Sequence, residues 1–349
     1  MRDRPRTLGR EECMLGFVLR RVLWIVPVML TIAGTTFFLM YRAPGGPWDQ
    51  QKRLPTATRQ NLDAKFGLDK PLWFNPDAVR AEREQGGDNP LALARAALDS
   101  QFFNYLGGVA HFDLGPSYQS KGTESVQSVI VQKFPASAKV GLVAIVFAVL
   151  TGIPLGVVGA LKQNSWLDYG SVIVATVGVC VPTFVTGVLL VIFLSANFGV
   201  SPIRRPEAWE HFGRAYLLPG IVLGLGTTAY IARLTRASLL EVKRQDYVRT
   251  ARAKGVAEGG VVLRHMLRNA LIPVITILGP AAAELVTGSI IIEAIFGIPG
   301  LGREFVTSIG ARDYPMIMGT TLFYAILIAL ANASVDVAYG LVDPRIAVR

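Results

Sequence analysis

The sequence predicts an all-α integral membrane protein with six spanning helices and a long segment between the first and the second. Three observations carry this. Only 17% of the 349 residues are charged and 51% are hydrophobic, with a mean hydropathy of +0.41, whereas about a quarter of a soluble domain is charged. The apolar residues gather into six runs, each near the ~20 residues that cross a bilayer as a helix. Lys and Arg are concentrated in alternate loops between those runs.

The first run is Val22 to Tyr41. Arg20 and Arg21 precede it, as in a signal peptide, but the run exceeds a signal core and no A-x-A site follows before Arg42, so it reads as a retained anchor. Met14 is an alternative start to Met1, which would make residues 1–13 an overhang or a floppy arm. A long segment follows, to residue 136. Within it Pro55–Leu68 and Pro76–Tyr105 hold helix-forming runs. Glu82–Pro90 (EREQGGDNP) reads as a turn or flexible insertion, and His111–Ser117 (HFDLGPS) as a glycine–proline turn. His111 has no second ligand at metal spacing, so a solvated or locally hydrogen-bonded role is expected.

The remaining runs are Ser137–Leu161, Tyr169–Ala196, Ala215 to about Ser238, Leu271–Ile292 and Pro315–Leu341. Lipid offers backbone groups no partners, so these must be helices. Pro27, Pro154, Pro182, Pro219 and Pro280 interrupt them, which membrane helices tolerate because neighbours re-satisfy the freed groups. The chain thus divides into residues 1–136, an anchor helix (about 22–41) with an extracytoplasmic segment, and residues 137–349, a core of five spans that includes a basic loop at 238–270. No repeat of fixed period and no inverted repeat is evident.

The net charge is +10. One set of short segments carries Arg2, Arg4, Arg6, Arg10, Arg20, Arg21, Lys162, Lys243, Arg244, Arg249, Arg252, Lys254, Arg264, Arg268, Arg345 and Arg349. The short loops of the opposite set carry Arg204, Arg205, Arg214, Arg303 and Arg312. This asymmetry puts both termini in the cytoplasm. Topology therefore accounts for the basic charge, and no aromatic-interleaved groove motif supports nucleic-acid binding. Cys13 and Cys180 fall in the N-terminal arm and the third span, so no disulfide is expected.

The basic loop stands out. Burying its seven Lys and Arg at bilayer depth would cost about 17–25 kcal/mol in total, so it lies in water. Yet Leu239–Lys254 lacks Gly and Pro and holds good helix formers. Gly255 suits the left-handed position that ends a helix, and Val261–Leu271 starts a second helix toward Pro273. Tyr247, Val248, Ala251 and Ala253 among the arginines fit a plug for another protein's groove. A solvated loop that only enforces topology is the competing reading.

These residues carry a resemblance. "DYVRTARAKG" followed by "RHMLRNALIP" resembles the cytoplasmic loop of ABC importer permeases of the peptide and nickel branch. In the wider superfamily that loop reads Glu-Ala-Ala, three residues, then Gly. In this register Gly255 is the glycine and Arg249, Thr250 and Ala251 fill the Glu-Ala-Ala slot, with only Ala251 matching. The gap from Gly255 to Pro273 is also longer than the general pattern; both departures are usual for the peptide branch. "LRRVLWIVPVMLTIAGTTFFLMYRAPGGP", "FPASAKVG", "GALKQNSWLDY", "VIVATVGVCVPTFV", "TGSIIIEAIFGIPGLG", "RDYPMI" and "NASVDVAYGLVDPRI" follow oligopeptide permease B subunits in order, and the stretch from about Pro76 to Ser100 is similar to an insertion relative to shorter relatives.

The resemblance implies a type I ABC importer permease fold in a multi-pass inner (plasma) membrane protein. It implies a homologous second permease, two cytoplasmic ATPases that hold ATP and Mg, an external solute-binding protein, surrounding membrane lipid and a peptide substrate. Dipeptide, glutathione or nickel cargo remains open. The residues Asp246, Tyr247, Val248, Arg249, Thr250, Ala251, Arg252, Ala253, Lys254 and Gly255 would then form the coupling helix that an ATPase grips.

No G-x-x-x-x-G-K-[ST] and no H-E-x-x-H occurs, so neither ATP hydrolysis nor metalloprotease chemistry is expected of this chain, and no cofactor or metal. "FGIPGLG", Phe296–Gly302, follows a span rather than a strand, which argues against a dinucleotide glycine loop, and the resemblance implies a re-entrant or surface turn between the fifth and sixth helices. Glu284 and Asp336 lie within spans, where a carboxylate facing lipid is costly. Asp336 sits in "NASVD…DPR", part of the family resemblance, which implies a structural hydrogen bond, with Asn332 one turn away as its partner. Glu284 either lines a translocation path and meets a peptide amine or is a hydrogen-bonded packing residue. An ion-coupled carrier using Glu284 and Asp336 is the competing class.

Overall fold

A computed structural model of the chain describes residues 8–49, 55–85, 89–199 and 206–342. Arg2, Arg4, Arg6, Arg204, Arg205, Arg345, Arg349 and the tip of the 82–90 turn (86–88) lie outside the described residues, as do the side chains of Arg10, Cys13, Arg21 and Asp336. In chain order the helices are α1 (Leu8–Arg42), α2 (Thr56–Phe66), α3 (Pro76–Glu84), α4 (Pro90–Ala97), α5 (Gln101–Ala110), α6 (Val126–Leu161), α7 (Trp166–Cys180) and α8 (Thr183–Phe198). Then come α9 (Leu217–Val242), α10 (Asp246–Ala253), α11 (Glu258–Gly260), a π-helical stretch Val261–Met266, α12 (Leu267–Ala270), α13 (Ile272–Thr287), α14 (Ile290–Phe296), α15 (Leu301–Ala311) and α16 (Tyr314–Val342). Among the described residues the only β pairing is the isolated bridge Pro116–Ser125.

Four continuous helical stretches are long and apolar enough to cross a membrane: Leu23–Arg42, Val126–Leu161, Arg214–Val242 and Tyr314–Ser334. Two bent pairs bring the number to six if each pair is one span: α7 with α8, bent by 101°, and Glu258–Ala270 with α13, bent by 53°. The third span expected over 169–196 is broken in the middle. Pro182 has no N–H and pushes the preceding residue out of the helical region, so Val181 sits at φ −85, ψ 119 and α7 stops. At 15 and 16 residues the two halves are each only about 23 Å long, short of a ~30 Å hydrocarbon core. The second helix begins at Val126 rather than Ser137, and the fifth ends at Thr287, where Gly288 takes φ +85.

The chain forms two compact units: residues 26–132 with 305–325, and the remainder, of which 133–304 is the main part. In the first of these units α2–α5 are short and individually capped. The Asn75 and Asn89 side chains accept from Ala78 N and Leu91 N, and Pro76 and Pro90 occupy the first helical positions. The buried core is aromatic: Phe37, Trp48, Phe102, Tyr118 and Tyr314. Rings of Phe37 and Phe102 meet edge-on at 5.1 Å, and Trp48 Nε1 donates to Asp63 at 2.9 Å. Asp313, 1% exposed, accepts from Ser117 Oγ (2.5 Å), Tyr118 N and Gln119 N (3.1 Å each) and from Met316 N at the start of α16 (3.3 Å). One carboxylate thus pins the turn after "HFDLGPS" and caps a span. Donation by Lys70 and Asn104 holds the Asp99 carboxyl below its usual range. His111 Nδ1 pairs with the Gly107 carbonyl at 2.8 Å, the local role expected of it.

In the other unit the spans meet at glycines. A Cβ on Gly141 of α6 would collide with the Leu285 carbonyl of α13, and one on Gly220 of α9 would lie 2.6 Å from Val143 Cβ of α6. Without strong hydrophobic drive in lipid, such close backbone approach supplies much of the helix–helix attraction. Gly141→Val is expected to lower the thermal unfolding midpoint of the detergent-purified protein by several degrees, since overpacking costs about 1–3 kcal/mol. Gly170→Ala, where the space around the added carbon is open, is expected not to lower it. Scanning fluorimetry compares the two.

Candidate functional site

The 239–254 stretch is two helices rather than one. α9 runs to Val242, Lys243–Gln245 turn, and α10 starts at Asp246. Val248 and Ala251, three residues apart, are buried at 0% and 6% exposure in a cluster with Ala160, Leu239, Val261, Val262, Met266 and Ala270. That cluster draws on α6, α9, the π-helical stretch and α12. Gly255 takes φ +76, its N–H bonds to Arg252 O, and Val256 N–H bonds to Ala251 O, so the expected glycine stop is present. Arg252 forks onto Glu258, Nε to Oε2 at 3.0 Å and Nη2 to Oε1 at 2.6 Å. Asn269 donates to the Tyr247 hydroxyl at 2.8 Å. The 246–255 segment is therefore a docked helix, not a loose loop.

Its other face is free and polar. Asp246, Tyr247, Arg249, Thr250, Ala253, Lys254 and Gly255 are exposed, and Arg252 is half-buried. Arg249 and Asp246 form a solvated pair at 3.6 Å, worth little in stability. Two small apolar residues thus anchor the helix while a mixed-charge face is turned to solvent.

Glu284 is exposed on α13, and among the described residues its carboxylate has no partner; its carbonyl accepts from Thr287. Asp336 and its expected bond to Asn332 fall outside the described side chains. Among the described residues no three His, Cys, Asp or Glu gather as metal ligands.

Two constellations escaped sequence reading. Glu293, at 1% exposure, accepts from Ser137 Oγ (2.7 Å) and Arg303 N (2.8 Å), while Ser137 Oγ accepts from Leu301 N (2.9 Å). The "FGIPGLG" turn is wrapped around this carboxylate, and side chains at Gly300 or Gly302 would crowd it. The legible signal was an acid flanked by Gly288, Gly297, Gly300 and Gly302. The second is Asp168, 3% exposed, in a bidentate pair with Arg236, Nε–Oδ1 2.6 Å and Nη2–Oδ2 2.9 Å. Asp168 also accepts from Asn164 N, and Ser165 Oγ accepts from Asp168 N. The S-x-x-D pattern of a capping box announced it.

The chain is similar to known proteins. Residues 152–348 match the family described as the binding-protein-dependent transport system inner membrane component. The dipeptide transport system permease protein DppB of Bacillus subtilis is 39% identical over 333 residues, 95% of this chain and 98% of the relative. The oligopeptide transport system permease protein OppB of Escherichia coli K12 is 37% identical over 334 residues, 95% and 99%. A chain from inward-facing MetNI, a methionine ABC transporter, superposes with TM-score 0.52 at 20% identity, covering 62% of this chain and 97% of that one. That likeness is one of fold, the type I ABC importer permease fold expected from the sequence. This chain belongs to the family of inner membrane components of binding-protein-dependent transport systems.

Proposed function

We propose that this chain is a permease subunit of an ATP-driven peptide importer, that it forms half of the translocation pore, and that it couples to an ATPase through the 246–255 helix. The observation that carries the reading is the α10 anchor. Val248 and Ala251 fasten the helix to the spanning unit, while Asp246, Tyr247, Arg249, Thr250, Ala253 and Lys254 face outward for a partner. Peptide cargo is supported by the near-full-length identity to the dipeptide and oligopeptide permeases. ATP and Mg would sit on two partner ATPases, since the sequence has no phosphate-binding loop of its own. A second permease would complete the pore and an external solute-binding protein would deliver the peptide. The charge asymmetry supports a cytoplasmic position for both termini and α10. Closure of the ATPases on ATP would push α10, and the docked cluster would pass that displacement to α6 and α9.

Val248→Asp is expected to abolish peptide uptake by the reconstituted transporter. An unpaired carboxylate in that cluster costs several kcal/mol, enough to release α10. Arg249→Cys, on the free face, is expected to cross-link to an ATPase carrying a cysteine in its groove; a failure to find any ATPase cross-link along 246–254 would remove the coupling role. Glu284→Gln tests the path-lining role of that carboxylate. Uptake of several peptides with free amines is expected to fall, and unchanged uptake of all of them would return Glu284 to packing.

A further inference from the structure

The outward faces of the spans in the 133–304 unit are of two kinds. α6, α7 and α8 present large apolar side chains, among them Leu142, Val146, Leu150, Ile173, Val177, Leu189 and Phe193, as helices facing lipid must. α9 and α13 do not. The exposed stripe of α9 is Tyr230, Arg233, Ala237 and Glu241, and that of α13 is Pro273, Thr276, Pro280 and Glu284, each at helical spacing. Charged groups on such faces mark water-filled paths or buried protein contacts rather than lipid.

α9 holds two arginines one turn apart with different fates. Arg236 is neutralised by the buried Asp168. Arg233 is exposed, and among the described residues it meets no carboxylate; its guanidinium lies over the Tyr230 ring, 5.8 Å from the centroid. It also borders a half-enclosed cavity of about 180 Å³ between α7 and α9, which Ser171, Val172, Ala175, Thr176, Ala232 and the Asp168-paired Arg236 also line. A guanidinium with no carboxylate partner among the described residues, beside a small pocket with an apolar wall, the Ser171 and Thr176 hydroxyls and an already paired Arg236, suits a carboxylate that carries a short apolar group, because the fork binds both oxygens at once.

We propose that Arg233 is a substrate-binding residue that takes the C-terminal carboxylate of the peptide in transit. This rests on the peptide-import reading above. Height along the bundle supports it. Gly141 of α6 meets Leu285, and Gly220 of α9 meets Val140 and Val143, so Glu284 lies level with the start of α9. Arg233 is thirteen residues further along α9, about 20 Å at 1.5 Å per residue. The two opposite charges are thus spaced for the ends of an extended chain of about six residues, amine toward Glu284 and carboxylate toward Arg233. Shorter peptides hold one charge at a time.

The test compares two peptides of one sequence, one with a free C-terminal carboxylate and one amidated. Uptake is measured into liposomes that hold the complete transport complex, at concentrations that saturate the binding protein with either. In the wild type the acid is carried faster. Arg233→Gln is expected to cut the acid-to-amide rate ratio about tenfold, and Arg233→Lys to retain most of it. Co-purification of all subunits with each variant checks assembly. An unchanged ratio in Arg233→Gln overturns the proposal whether both rates fall, as for an interface between permeases, or neither does. Equal wild-type rates for acid and amide overturn it while leaving peptide import standing. A wild-type complex that carries neither peptide removes the peptide reading itself, and the proposal with it.

Discussion

The burial of Val248 and Ala251 against α6, α9 and α12 is the contact on which the functional account depends. A basic segment that merely kept the loop in water would need no such anchor. Seven cations would do that alone. Two small apolar side chains instead fix a charged helix to the ends of the spans, with Arg252 and Glu258 bracing the turn behind it. The left-handed Gly255 ends the helix so that the chain can fold back and let Val261, Val262 and Met266 close the cluster. A displacement applied to the outer face of α10 therefore reaches the spanning helices through packed atoms, not through a slack connection.

Beyond that anchor, the same unit is held by contacts that a membrane makes decisive. Helix pairs approach at Gly141 and Gly220, where backbones touch without side chains between them. Two buried carboxylates inside it are paired: Asp168 answers Arg236, and Glu293 answers Ser137 and the backbone of the 300–303 turn. Among the described residues, Arg233 and Glu284 have no such ion-pair partner. In a solvent that penalises lone charges, unpaired groups on faces that lack large aliphatic side chains are the natural places for a polar cargo.

Much of this was legible before any coordinates. Run length and the lack of backbone partners in lipid dictate helices, and the composition of 238–270 dictates a watery helix–glycine–helix. What sequence reading lost was geometry set by single residues. Pro182 turns one expected span into two halves at 101°, because an apolar run reports hydrophobicity and not direction. The α9–α10 break at 243–245 carries no Gly or Pro, so helix propensity ran through it. Glu293 was passed over since it lies one residue beyond the apolar run that defined span five, and Arg233 since its neighbours are as apolar as any span. Exposure on a particular face is a tertiary property, visible only once α9 has been packed against α6 and α7.

The central claim is that α10 and the spanning helices move as one body. Spin labels at Thr250→Cys on α10 and Ala237→Cys on α9, in the assembled complex with Cys13 and Cys180 replaced by serine, report their separation by pulsed electron resonance through the ATP cycle. The account predicts one narrow distance distribution that stays put when nucleotide is added, while distances from either label to the second permease change. A shift or marked broadening between the two labels on nucleotide binding would mean that α10 slips on its anchor, and the account would fail.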